Sequence, residues 1–289
     1  MANIKELKKK IRSTKGTLKI TTAMKLVSAA KLNKAQQAIT GSRPYADELE
    51  DSIKTAAALA ESYNHKYMND SENNKAVLLV CSANKGLCGG FNSQLAKKVR
   101  NYLKETDKEF KVYFIGKKVR ELIVNEVNAG KTFEFEKVDP AFREVKEIGE
   151  ELAHMFTTGE VGSVYVAYNI FRSAISFEPT VKKVLPMTVE AATKEELRER
   201  FPFDFKYEPS AEKILDDLIP EAYTTSIYTC LLDSIAAEHG SRMSAMDSAS
   251  SNCKDAIRSL TLKMNKLRQA AITTELIEVV SGAESLNNG

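Results

Sequence analysis

The chain has 289 residues, 43% apolar and 28% charged, enough for one large domain or a compact domain with a long helical appendage. No window approaches roughly eighteen uninterrupted apolar residues, which argues against a membrane-spanning helix, and the opening MANIKELKKKIR lacks the apolar stretch of a secretory signal. The net charge of +3 conceals an asymmetry: residues 1–60 balance to +7, residues 61–208 to zero and residues 209–289 to −4. Opposite charge suits chain ends that pair with each other or meet different partners.

From Asn3 to about Ser62 the sequence reads as one helix. Ile4, Leu7, Ile11 and Leu18 begin an apolar stripe, and Ile20, Met24 and Val27 continue it after a shift of phase. Pro44 is expected to bend this helix rather than end it, because the pattern resumes at once in ADELEDSIKTAAALAES. Tyr63 to Asn74 is polar and aperiodic, a boundary. KAVLLVC (75–81) is then a continuous apolar run of the kind found in buried parallel strands. NKGLCGG follows as a loop, and Asn92 is placed to open the helix NSQLAKKVRNYLKE. FKVYFIG (110–116) is a second strand, KKVRELIVNEVNA a helix stopped by Gly130, and TFEFEKV a weaker strand. Asp139-Pro140 starts a helix running to about Thr158, and strands follow at 161–171 and 179–187 across a short polar turn. The order βαβαβαββ predicts a mainly parallel sheet covered by helices.

Pro209-Ser210 opens the C-terminal helical region. Its last sixty residues contain no proline after Pro220, and Ile257, Leu260, Met264, Leu267, Ala271 and Thr274 recur at alternating spacings of three and four. That is a coiled-coil seam on a rod of roughly 90 Å, which needs a partner helix. The N-terminal helix supplies one, and since one helix enters the α/β domain and the other leaves it, the pair is antiparallel. Entry near Tyr63 and exit near Pro209 place residue i opposite about 272 − i, so Met24 faces the neighbourhood of Asp247. The fold class is therefore α/β, with an antiparallel coiled coil of terminal helices beside a Rossmann-like domain. The expected boundaries are 1–62, 63–208 and 209–289.

Chemistry is harder to place. Cys81, Cys88, Cys230 and Cys253 share no C-x-x-C spacing and read as reduced thiols of a cytosolic protein, and His65, His154 and His239 lack metal-ligand neighbours. The loop NKGLCGGFN lies where a phosphate-binding loop would sit, yet fits neither G-x-G-x-x-G nor a P-loop. A structural turn or a surface for a protein partner is favoured over nucleotide binding. The basic run Lys5 to Lys25 has no interleaved aromatics, so a solvated face or a docking surface for an acidic protein loop is favoured over nucleic acid. No catalytic constellation occurs, and no cofactor or metal is expected.

The C-terminal run supplies the sharpest signal. Ile272, Thr273, Glu275, Glu278, Gly282, Ala283 and Ser285 fit the spaced signature of the F-type ATP synthase gamma subunit. KITTAMKLVSAAKLNKAQ, SRPYADEL, GLCGGFN and FKYEP resemble the same family in the same order, so the likeness covers the whole chain. The resemblance implies a central rotor shaft, without catalytic sites of its own. Its implied partners are a hexameric ring of alpha and beta subunits, a small epsilon subunit and a membrane c-ring of proton-conducting subunits. It further implies beta-subunit contacts at Met24, Lys25, Arg242, Arg268, Gln269, Thr273, Glu275 and Glu278. A foot that meets the c-ring and epsilon is implied at Arg43, Tyr45, Gly86, Leu87, Cys88, Gly89, Tyr207 and Glu208. Peripheral attachment to the cytoplasmic face of a bacterial plasma membrane is the expected location, since no transit peptide is recognisable. The competing readings are a coiled-coil scaffold with a degenerate nucleotide-binding domain, and a nucleotide-dependent enzyme using Gly86 to Gly90.

Overall fold

A computed structural model describes residues 2–60, 63–135, 140–189, 191–193, 196–197, 208 and 210–287. Two helices dominate it: α1, Ala2–Leu59, and α5, Ala211–Asn287, of 58 and 77 residues. Both run through a proline, Pro44 and Pro220, without ending there. The chain divides into two compact units, one of residues 1–28 with 243–289 and one of residues 29–242.

The smaller unit is a pair of antiparallel helical segments. Its register is fixed by Lys25 Nζ donating to Asp247 Oδ1 at 2.6 Å and Ser250 Oγ donating to Thr21 Oγ1 at 2.8 Å. Lys25 with Asp247 meets the expected sum of 272, and Thr21 with Ser250 is one residue off it. The phase shift expected after Leu18 does not occur. Leu7, Thr21 and Ser28 are buried and Ile4, Ile11, Thr14, Leu18 and Lys25 are half-buried, a three-four alternation without slip. Ile20 and Val27 are exposed. The seam stays in phase because small hydroxyl side chains fill positions where hydropathy sees no stripe. On α5 the half-buried row runs through Ile257, Leu260, Met264, Leu267 and Ala271, and Thr274 lies beyond it, exposed.

The larger unit is built on a five-stranded sheet of order β3-β2-β1-β4-β5, parallel except for the antiparallel edge strand β5. The strands are β1 Lys75–Cys81, β2 Glu109–Ile115, β3 Asn128–Phe133, β4 Ser163–Ser173 and β5 Ser176–Leu185. Alternation along β1 splits the core in two. Ala76, Leu78 and Val80 pack with Leu95, Val99, Val119 and Ile123 of α2 (Phe91–Glu105) and α3 (Lys118–Ile123). Val77, Leu79 and Cys81 pack with α4 (Phe142–Thr157) and with Tyr223, Ile227 and Leu231 of α5. Between residues 215 and 242, α5 is apolar on most sides because the sheet lies against one side and α1 against another, where Leu49, Ile53 and Ala56 meet Leu215 and Ile219.

Three local expectations are corrected. Asn92 lies inside α2 and caps nothing; its Oδ1 accepts from Ala83 N at 3.2 Å and its Nδ2 donates to Cys88 Sγ at 3.1 Å. α3 stops at Ile123, and Gly130 sits in β3, where a Cβ would press on the Tyr113 ring. Asp139 falls outside the described residues; Glu144 Oε2 instead accepts from Ala141 N at 2.8 Å to close the start of α4.

Candidate interaction surfaces

Among the described residues no His, Cys, Asp and Glu gather as a metal cluster, and no helix is long and apolar enough to cross a membrane. What stands out is surface of three kinds. The first is the end of α5 past Ala271. Ile272, Leu276, Ile277, Val279 and Val280 are all large, apolar and exposed. The helix pair has run out of α1 by then, since Ile4 lies opposite about Arg268 in the observed register. Arg268, Gln269, Thr273, Glu275 and Glu278 are exposed on the same segment. Thr273 Oγ1 donates back to Gln269 O at 3.0 Å.

The second surface lies on the paired helices. Lys5, Lys8, Lys9, Arg12 and Lys15 crowd one stretch of α1, with only Glu6 among them, and Glu6 is engaged with Lys10 at 2.8 Å. Met24 is half-buried, and Lys25 is drawn across the seam to Asp247. Ile20, Leu26 and Val27 are exposed on the same helix.

The third is the loop 84–90 between β1 and α2. Leu87 adopts φ 61° with its side chain 64% exposed, and Gly89 adopts φ 55°. A leucine rarely sits in that left-handed region, so the surroundings must hold it there. α5 provides them. Arg242, 8% exposed, donates from Nη2 to Lys85 O at 3.1 Å and from Nε to Gly86 O at 3.3 Å. Ser241 Oγ donates to Cys88 O at 2.6 Å. Glu238, one turn back, receives Arg242 Nη1 at 2.7 Å. Burial raises the Glu238 carboxyl above its ordinary range, against the pull of Arg242, and burial likewise raises the Cys88 thiol, against the same guanidinium. The loop thus turns the carbonyls of Lys85, Gly86 and Cys88 toward α5, which is unlike the amide cradle of a phosphate site.

The expected positions therefore separate. Gly86, Leu87 and Gly89 form an accessible loop, but Cys88 is 2% exposed beneath it. Arg43 and Tyr45 are exposed on α1, where the Tyr45 hydroxyl donates to Glu221 Oε1 at 3.2 Å. Glu208 is exposed, and Tyr207 lies outside the described residues. Arg242, expected to touch a partner, is buried in this chain, where the Lys85 and Gly86 carbonyls and the Glu238 carboxylate collect its nitrogens. Sequence reasoning passed over Glu238, took Ser241 only as the start of a run of small residues, and gave Asn92 a capping role in place of the one it has beneath the loop. The signal available was a Glu/Arg pair four residues apart, Glu238 and Arg242, in a run rich in small and apolar residues, IAAEHGSRMSAM.

A family model described as ATP synthase matches residues 3–286. The chain belongs to the ATP synthase gamma family. It is 39% identical over 289 residues to the ATP synthase gamma chain of Geotalea daltonii, covering 99% of each chain. It is 36% identical to that of Lachnoclostridium phytofermentans, covering 99% of this chain and 100% of the relative. The fold is that of a chain in the Euglena gracilis mitochondrial ATP synthase, with a TM-score of 0.68 at 16% identity over 100% and 96% of the two chains. The Tetrahymena thermophila central stalk and c-ring assembly contains another chain of this fold, with a TM-score of 0.59 at 22% identity over 80% and 99%.

Proposed function

We propose that this chain is the central rotor shaft of an F-type ATP synthase, coupling ion flow through a membrane ring to ATP synthesis or hydrolysis in an alpha/beta ring. The observation that carries it is the family match over nearly the whole length, joined to an exposed apolar helix end that a surrounding sleeve would cover. Burying such a side chain fully is worth about 1.5–3 kcal/mol, and the contact is weakly directional, so it holds a shaft without fixing its angle. In this reading residues 1–62 and 209–289 form the shaft and 63–208 the foot. The upper part meets beta subunits through Met24, Lys25, Arg268, Gln269, Thr273, Glu275 and Glu278. Arg43, Tyr45, Gly86, Leu87, Gly89, Tyr207 and Glu208 serve the foot, toward epsilon and the c-ring. The shaft transmits force and performs no chemistry, and it works at the cytoplasmic face of a bacterial plasma membrane as a peripheral component.

Affinity purification of the full chain tests the reading. A ring of larger ATP-binding subunits should copurify, and the isolated chain should bind no ATP in titration. Specific ATP binding by the isolated chain would favour the nucleotide-dependent enzyme instead.

A further inference from the structure

The backbone of loop 84–90 is tied down on both sides of Leu87 and, among the described residues, left free at Leu87 itself. On one side Arg242 reaches Lys85 O and Gly86 O. On the other, Ser241 holds Cys88 O, and Asn92 holds the Cys88 thiol. All three guanidinium nitrogens of Arg242 are committed inside the chain, Nη1 to Glu238 at 2.7 Å and to His239 Nδ1 at 3.3 Å. A planar fork can satisfy a carboxylate behind it and two carbonyls in front of it at once; a lysine cannot. An arginine so occupied offers nothing to an outside partner. Yet the leucine it steadies is a large apolar residue displayed to solvent in a backbone conformation that leucine rarely adopts.

We propose that Arg242 is a positioning residue: backed by Glu238, it latches the carbonyl side of loop 84–90 and holds Leu87 in its outward, left-handed pose. The functional weight of the latch rests on the reading of this loop as a contact surface of the rotor. Any effect of Arg242 on coupling then passes through the loop.

Cys88 reports on the latch, because it is buried directly beneath the loop. In the full chain, checked for helix content by circular dichroism, its alkylation by N-ethylmaleimide is followed by peptide mass spectrometry. R242Q should speed the reaction by about tenfold or more, through local opening rather than global unfolding. The sign is informative. Arg242 favours the Cys88 thiolate, so losing its charge alone would slow the reaction. R242K should give an intermediate rate and serves if R242Q fails to fold. The swap E238R/R242E restores an ion pair but puts no donor under Lys85 and Gly86, so Cys88 should remain fast. Protection by the swap, or wild-type rates in both R242Q and R242K, would overturn the latch. In the reassembled complex, L87A and R242Q should be non-additive in ATP-driven coupling. Multiplicative losses would mean that Arg242 acts by a route of its own and is not a positioning residue. If L87A is neutral while Cys88 is exposed as expected, the latch stands and the contact role of the loop falls.

Discussion

Thr21 and Ser250 meet inside the helix pair through a single hydroxyl–hydroxyl bond of 2.8 Å, both side chains buried. Such a pair is asymmetric in what its loss costs. T21V leaves the Ser250 hydroxyl buried and alone and should destabilise the pairing by about 1–3 kcal/mol, whereas T21V/S250A should be close to neutral. Urea unfolding followed on helix signal separates the two outcomes. Lys25 with Asp247 is the opposite case, an ion pair in water, and D247A should cost at most about 1 kcal/mol. Glu238 carries a pH signature. Its carboxyl is raised in the folded chain, so the stability it adds is fully present below its ordinary value of 4.5 and is lost as pH climbs through the folded value. E238Q should flatten that part of the stability–pH curve, and an unchanged slope would assign it to another group. None of these polar partners was legible in hydropathy. Thr21 and Ser28 look like surface residues in sequence, and only the opposing helix makes them core.

The α5 helix extends beyond its partner, and that overhang is the element with the least intramolecular support. Deleting residues 269–289 should leave the α/β unit folded, with unchanged far-ultraviolet signal from the remaining helix and sheet. The reassembled complex should lose its grip on the shaft, read as impaired ATP-driven rotation. Unfolding of the α/β unit would show that the segment packs within its own chain. Register is testable on the same element. Cysteines at 21 and 250 should oxidise readily, while 21 and 260 should not, since a disulfide requires Cα atoms within about 7 Å. The helix pair was readable because a three-four repeat over many turns has few alternative explanations. The third helix and third strand were not, because LIVNEVNA is as good a strand sequence as a helix, and Gly130 ends one as plausibly as it kinks the other.

Charge is the property that belongs to the whole molecule. Ten Lys/Arg against one Asp/Glu in residues 1–34 leave the N-terminal part of α1 strongly basic. Converting Lys8, Lys9 and Lys10 to Glu should weaken assembly or coupling, more at low than at high ionic strength, because surface attraction is screened over about 10 Å at 0.1 M salt. Coupling equal to wild type at low salt would make the face merely solvated. Layer order, strand direction and the antiparallel helix pair all followed from the pattern of apolar runs. The partner of each surface did not, because an exposed Ile272 or Leu87 is defined by what covers it.

The bond between Thr21 and Ser250 joins residues 229 apart in the chain. On a ribosome the first helix emerges long before its companion exists, and must wait with its seam uncovered. Closing so long a loop in one step is entropically costly, and each halving of the loop relieves only about 0.6 kcal/mol. Early docking of Leu49 and Ile53 against Leu215 and Ile219 in the larger unit would bring the two helices side by side. From there the remaining pairs close one turn at a time, each over a short gap. The topology thus predicts that the helix segments beside Leu49 and Leu215 join before the segments at Thr21 and Ser250.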